Sequence, residues 1–130
     1  KLLAARRNED YEVLMMERSD KRGAFRGAVV FPGGVAEDAD RSSEWGALLH
    51  PLQLGPRQFL KLTAVRELFE ETGILLSSPR ALVPQEVART HRVRVQKNSR
   101  AFLETCQELD VRPDVDSLKL IQNWVTPMHA

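Results

Sequence analysis

The run AVRELFEETGILL, residues 64–76, crowds Glu67, Glu70 and Glu71 into little more than one helical turn, with Arg66 immediately before them. The pattern around it predicts a helix over 58–72. At ~100° per residue Leu62, Val65, Leu68 and Phe69 gather on one side, and Gly73 stands where a C-terminal cap commonly sits. With Glu67 set at zero on the same wheel, Glu71 falls near ~40° and Glu70 near ~300°. All three carboxylates therefore share the face opposite the apolar one. Like charges at these spacings repel by a few tenths of a kcal/mol per pair. A divalent cation would reverse that sign, because carboxylate oxygens are the ligands that hard Mg²⁺ or Mn²⁺ prefers. Taken alone, an acidic triplet on a helix reads as a solvated face. What shifts the balance lies upstream.

There, AVVFPGG, residues 28–34, reads as a strand running into a sharp turn, with Gly33 and Gly34 allowing backbone angles that other residues avoid. Residues 35–57 carry acids, Ser, Gly and two prolines around Trp45 and the pair Leu48-Leu49, which predicts a loop with one helical turn packed down by Trp45. Before the glycine turn, KLLAARR and YEVLMMER read as two strands around a polar NED turn. Beyond the predicted helix over 58–72, Pro79 and Pro84 interrupt the chain. A second amphipathic helix starts near Asn98 or Ser99 and carries Phe102, Leu103, Cys106 and Leu109 at helical spacing. Residues 115–126 fit a helix or a strand equally well.

The length of 130 residues suits one domain with a real core. With 42% apolar and 28% charged residues, the composition is that of a globular chain and excludes general disorder. Nineteen basic against eighteen acidic side chains leave no bulk charge that would point to nucleic acid or a membrane surface. The lone Cys106 cannot form an internal disulfide, so a reducing compartment is expected. No apolar run approaches the ~20 residues of a spanning helix.

The two motifs together resemble the Nudix hydrolase signature, a loop–helix–loop. Its second half is present in full as Arg66, Glu67, Leu68, Phe69, Glu70, Glu71, Thr72, Gly73 and Ile74. Its first half is present as Gly34 followed by Asp40, which replaces the usual Glu. Twenty-five residues separate Asp40 from Arg66, far more than the signature has, so an insertion over residues 41–58 splits the box. That insertion, the GGVAEDADRSSEW segment and the later NW and WVTP look like the peroxisomal acyl-coenzyme A diphosphatase branch of the family. The likeness runs from VLMMERS to WVTP.

The resemblance implies an α/β (α+β) Nudix fold, a mixed sheet with the box helix packed against it. It also implies metal-dependent cleavage of coenzyme A or acyl-CoA to 3′,5′-ADP and (acyl-)4′-phosphopantetheine. Glu67, Glu70, Glu71 and the backbone carbonyl of Gly33 would hold Mg²⁺ or Mn²⁺. Glu67 or Glu70 would orient or deprotonate the water, and Arg66 would pair with a carboxylate and complete the catalytic group. Arg18 and Gly34 match elements near the substrate. The basic run from Arg89 to Arg100, with Arg92 and Arg94 at its centre, could grip the 3′-phosphate of coenzyme A, or could be a solvated face on a linker. Phe31 reads as core, Cys106 as a buried hydrophobe, and His50, His91 and His129 show no metal-ligand spacing. The insertion is expected to form substrate wall rather than core.

The opening Lys1 and the stop soon after NWVTP lead to the expectation of an N-terminal part of a Nudix domain. Apolar surface of the box helix would then be exposed, and catalysis by these residues alone weak. The partner is a small molecule, with neither nucleic acid nor membrane. A peroxisomal location follows from the resemblance only, with mitochondrion or cytoplasm as the alternatives, because no SKL-type address is present. The rival readings are another Nudix specificity (dinucleotide, nucleotide sugar or mRNA cap) and a non-catalytic Nudix-like binding module.

Overall fold

The computed structural model describes residues 2–6, 12–18, 27–50, 55 and 57–123. The NED turn, Pro51, Pro56, the WVTP segment and His129 lie outside the described residues. Strands β1 (Leu2–Arg6), β2 (Glu12–Glu17) and β3 (Val29–Val30) form an antiparallel sheet in the order β1-β2-β3, with Leu2 opposite Met16 and Met16 opposite Val30. Two 3-10 turns follow, Asp38–Arg41 and Ser43–Ala47. Helix α1 spans Gln58–Thr72, as the apolar spacing predicts, and Gly73 closes it in the left-handed region at φ 79°. Strand β4 (Ser77–Ser78) pairs antiparallel with β5 (Arg112–Pro113), and between them lie α2 (Gln85–Lys97) and α3 (Ala101–Glu108). Residues 115–123 form neither helix nor strand.

The class is α+β, and both described sheets are antiparallel. The box helix buries part of its apolar face against α2 and the first 3-10 turn. Leu62, Val65 and Phe69 pack with Trp45, Leu49, Val95, Phe102 and Cys106 in one core cluster. Phe102 sits between two aromatic rings, 5.8 Å from Trp45 and 5.9 Å from Phe69, a spacing at which tilted rings attract. Of the predicted apolar side, Leu62, Val65 and Phe69 are buried and Leu68 is half-buried, while Leu60 of the same helix is 48% exposed.

Three further expectations are corrected. The insertion is not only wall: Trp45 is 2% exposed, its indole Nε1 donates to the Ala39 carbonyl at 2.9 Å, and Leu49 is buried beside it. Arg41 lies over the Phe59 ring at 4.3 Å, a cation–π contact that ties the same segment to α1. Phe31 is exposed rather than core. Arg89 to Lys97 of the basic run lie on α2, whose buried side is Ala88, His91 and Val95, and Arg100 stands just before α3. The next helix accordingly starts at Ala101, slightly later than expected.

Candidate active site

Arg66 organises the box. Its side chain is 1% exposed, and its guanidinium joins three segments. Nε donates to Asp40 Oδ1 at 2.8 Å and Nη2 to Asp40 Oδ2 at 2.9 Å, the two-point geometry that suits a carboxylate. Nη2 also donates to the Val35 carbonyl at 3.0 Å, on the loop after the glycines. Nη1 reaches Glu70 Oε1 at 2.5 Å and Glu67 Oε1 at 3.1 Å. Arg66 thus acts on the box from behind. It pairs with the box carboxylates Glu67 and Glu70, as the resemblance implies.

Asp40 is the buried counterpart, and the insertion that follows it does not pull it away. The 3-10 turn Asp38–Arg41 presents it, with the Glu37 amide donating to Asp40 Oδ2 at 3.0 Å. Thr63, three residues before Arg66 on α1, donates to the same oxygen at 2.9 Å. Burial pushes the Asp40 carboxyl up, but the bonds from Arg66, Glu37 and Thr63 more than offset it and hold the pKa below the usual carboxylate value. For Arg66, burial disfavours the charge, and Asp40 and Glu70 restore it, leaving its pKa raised.

The glycine turn meets the acidic face. The Gly33 amide donates to Glu71 Oε2 at 2.8 Å. At Gly34 any added Cβ would lie 2.6 Å from the Glu67 carboxyl, so that side chain occupies the space only glycine leaves. Glu67 itself has a raised pKa. Burial is the first cause, Arg66 opposes it, and the charges of Glu70 and Glu71 add to it. Glu71 and Glu67 thus meet the glycine backbone, and Glu70 lies on the Arg66 side of them. They face protein partners, however. Among the described residues no three His, Cys, Asp or Glu side chains are grouped as a ready cage for an ion.

Arg92 and Arg94, expected to grip phosphate, have protein partners. Arg92 turns to the last turn of α1, donating to the Glu70 and Glu71 carbonyls. Arg94 pairs with Glu104 and Glu108 on α3, away from the acidic face. Arg18 lies at the end of β2, its amide donating to Ala28 O at 3.0 Å. His91 is buried with Nδ1 3.3 Å from Thr105 Oγ1, and Cys106 is buried with its thiol pushed up to about 12 by desolvation. Neither belongs to the site. Sequence reasoning missed Thr63 and Gln96. Each has a positional signal, Thr63 on the Arg66 side of α1 and Gln96 one turn beyond Arg92.

A family model described as the NUDT19 Nudix domain matches residues 3–61 and 56–130, and the chain belongs to that family. Human acyl-coenzyme A diphosphatase NUDT19 is 32% identical over 164 aligned positions, covering 92% of this chain and 44% of the relative. The Gallus gallus protein of the same name is 33% identical over 165 positions, again with 92% and 44% coverage. The Xenopus laevis protein is 30% identical over 162 positions, with 92% and 43% coverage. The chain thus spans less than half the length of these relatives. The aligned positions also outnumber its 130 residues, so the relatives carry residues within the matched region that this chain lacks. No solved structure matches the chain.

Proposed function

We propose that the protein hydrolyses the diphosphate linkage of coenzyme A and acyl-coenzyme A, with water added across the P–O–P bridge to release 3′,5′-ADP and (acyl-)4′-phosphopantetheine. The observation that carries the reading is the meeting of Glu67 and Glu71 with a side-chain-free turn at Gly33-Gly34, with Glu70 held beside them by Arg66 of the buried Arg66–Asp40 pair. The choice of substrate is supported by the names of the relatives, which are acyl-coenzyme A diphosphatases.

The donor set fits a hard divalent cation, Mg²⁺ or Mn²⁺: three carboxylates and the Gly33 carbonyl would hold it. Burial first, and then the nearby charges of Glu70 and Glu71, raise the Glu67 pKa against the opposing pull of Arg66. When bound, such a cation neutralises phosphate oxygens and lowers the pKa of a coordinated water. The chain's own part is positional. Arg66 and Asp40 fix the helix against the loop that follows the glycine turn, Gly34 leaves room for the Glu67 carboxyl, and Glu67 or Glu70 would orient the attacking water and take its proton. The family resemblance extends the reading to a peroxisomal setting, which imaging of the full-length protein tests.

The decisive experiment measures turnover of coenzyme A, ADP-ribose and capped RNA by the full-length protein with Mg²⁺ or Mn²⁺. Coenzyme A should be preferred, and Glu70→Gln or Glu71→Gln should lower turnover by orders of magnitude with folding intact. Near-parental activity in both variants would remove the metal-site assignment. Preference for ADP-ribose or capped RNA would move the protein to another Nudix specificity, and binding without turnover would make it a binding module.

A further inference from the structure

The last carbonyls of a helix have no intrahelical partners. In α1 the Phe69 carbonyl accepts from the Gly73 amide at 2.8 Å. The next two, on Glu70 and Glu71, are taken by side chains of α2. Arg92 donates from Nε to Glu70 O at 2.6 Å and from Nη2 to Glu71 O at 2.5 Å. Gln96, one turn further on, donates Nε2 to the same Glu70 carbonyl at 2.7 Å. Three donors thus grip the main chain of two box acids, Glu71, whose carboxylate accepts from the Gly33 amide, and Glu70, whose carboxylate pairs with Arg66.

This grip differs in kind from the other contacts at the site. Arg66 and the Gly33 amide act on the Glu70 and Glu71 side chains. Arg92 and Gln96 act on the backbone from which those side chains spring. A planar fork across two successive carbonyls fixes both the height and the rotation of that turn, and its charge suits the negative end of the helix dipole. Helix ends otherwise fray. Here the frayed end would carry two of the three acids.

We infer that Arg92 and Gln96 are positioning residues of the active site. By clamping the α1 terminus they set where Glu70 and Glu71 present their carboxylates, and so govern divalent-cation affinity and turnover rather than the hold on coenzyme A. The inference rests on the metal-dependent reading above.

The test uses the full-length protein and two readouts, Mn²⁺ affinity from the EPR signal of free ion and the split between kcat and KM for coenzyme A. Arg92→Ala should weaken Mn²⁺ binding by ~10- to 100-fold, the scale at which partners of metal ligands act, and lower kcat with KM nearly constant. Arg92→Lys should restore only part, because an ammonium cannot span two carbonyls. Gln96→Ala, at an exposed position, should shift Mn²⁺ affinity in the same direction by less. Parental Mn²⁺ affinity with a raised KM in Arg92→Ala would overturn the inference and return Arg92 to the substrate. If Arg92→Ala fails to fold, unchanged Mn²⁺ affinity in Gln96→Ala overturns it alone. Should the unsubstituted protein bind no Mn²⁺ and cleave no coenzyme A, the parent reading is what fails, and the clamp's role falls with it.

Discussion

Two arginines in this chain each pair with acids at nearly the same distances, yet they sit at opposite ends of an energetic scale. Arg66 meets Asp40 at 2.8 Å with both side chains 1% exposed. Arg94 meets Glu108 at 2.9 Å and Glu104 at 3.1 Å, with side-chain exposures of 39%, 49% and 52%. In water two charges at this separation attract weakly, and the interaction strengthens several-fold where solvent is excluded. Burial also makes each charge hostage to its partner, because neither can return to water if the other is removed. The distance of a pair is thus a poor guide to its worth. What surrounds it decides.

The comparison is broken most directly at Asp40. Asp40→Ala leaves the Arg66 guanidinium buried without its main counter-ion and should cost ~3–5 kcal/mol in urea unfolding. An effect as small as that of cutting the Arg94 pair would erase the distinction. The pH dependence sharpens it. The folded pKa of Asp40 lies below its ordinary value of 3.8, so between the two the unfolded chain binds more protons. The pair's stabilisation is present above the ordinary value and lost as pH falls through the folded one. A titration of unfolding free energy from neutral to acid should show this loss in the parent, and a smaller one in Asp40→Asn.

The next largest effect lies in the inserted segment, whose Arg41 rests on the Phe59 ring of α1. Trp45→Ala removes a buried indole between the 3-10 turns and Phe102 and should cost about 3 kcal/mol, the low end for such truncations because short turns can settle into the space. A loss within measurement error would show the segment to be the substrate wall that its polar sequence suggests. Gly34→Ala separates the site from the fold. The new Cβ would meet only the far end of the flexible Glu67 side chain, at 2.6 Å, so stability should change little. The displaced carboxyl should nonetheless lower kcat/KM by ~10²-fold, as a misplacement near 1 Å can. Unchanged turnover would show that the Glu67 position is free to vary.

The sequence made one half of this arrangement legible. Helix α1 and its Gly73 cap follow from local spacing, and the acidic face follows from the same wheel. The partnership of Arg66 with Asp40 does not, because it spans 26 positions, and only the motif brings the two into one thought. Helix α2 was hidden for a different reason. Its buried side is short and includes a His, its exposed side is strongly basic, and Pro84 before it reads as a break, although proline is well tolerated at helix starts. Phe31 was misjudged because an aromatic in a strand is usually core, whereas here the strand ends one residue earlier. Those errors share a cause: local pattern reports periodicity, not which face a neighbour will cover.

The smallest expected effect belongs to Arg94, and it carries the comparison to its limit. Its pKa is raised, first by the hydrogen bond from Arg94 to Glu108, and that of Glu108 is lowered by the same bond. Read naively, two matched shifts signal a stabilising pair. Yet both groups keep much of their water, and holding two long side chains in one geometry opposes the attraction with lost rotamer freedom. Salt at physiological strength then screens what is left. Arg94→Ala should therefore leave the thermal midpoint indistinguishable from the parent in moderate salt, with any difference appearing only at low ionic strength. Asp40→Ala should lose stability at every salt concentration, since its pair lies where ions do not reach. A clear, salt-independent destabilisation in Arg94→Ala would mean that α2 and α3 depend on their surface ion pairs, and that exposure is the wrong criterion for ranking the two arginines.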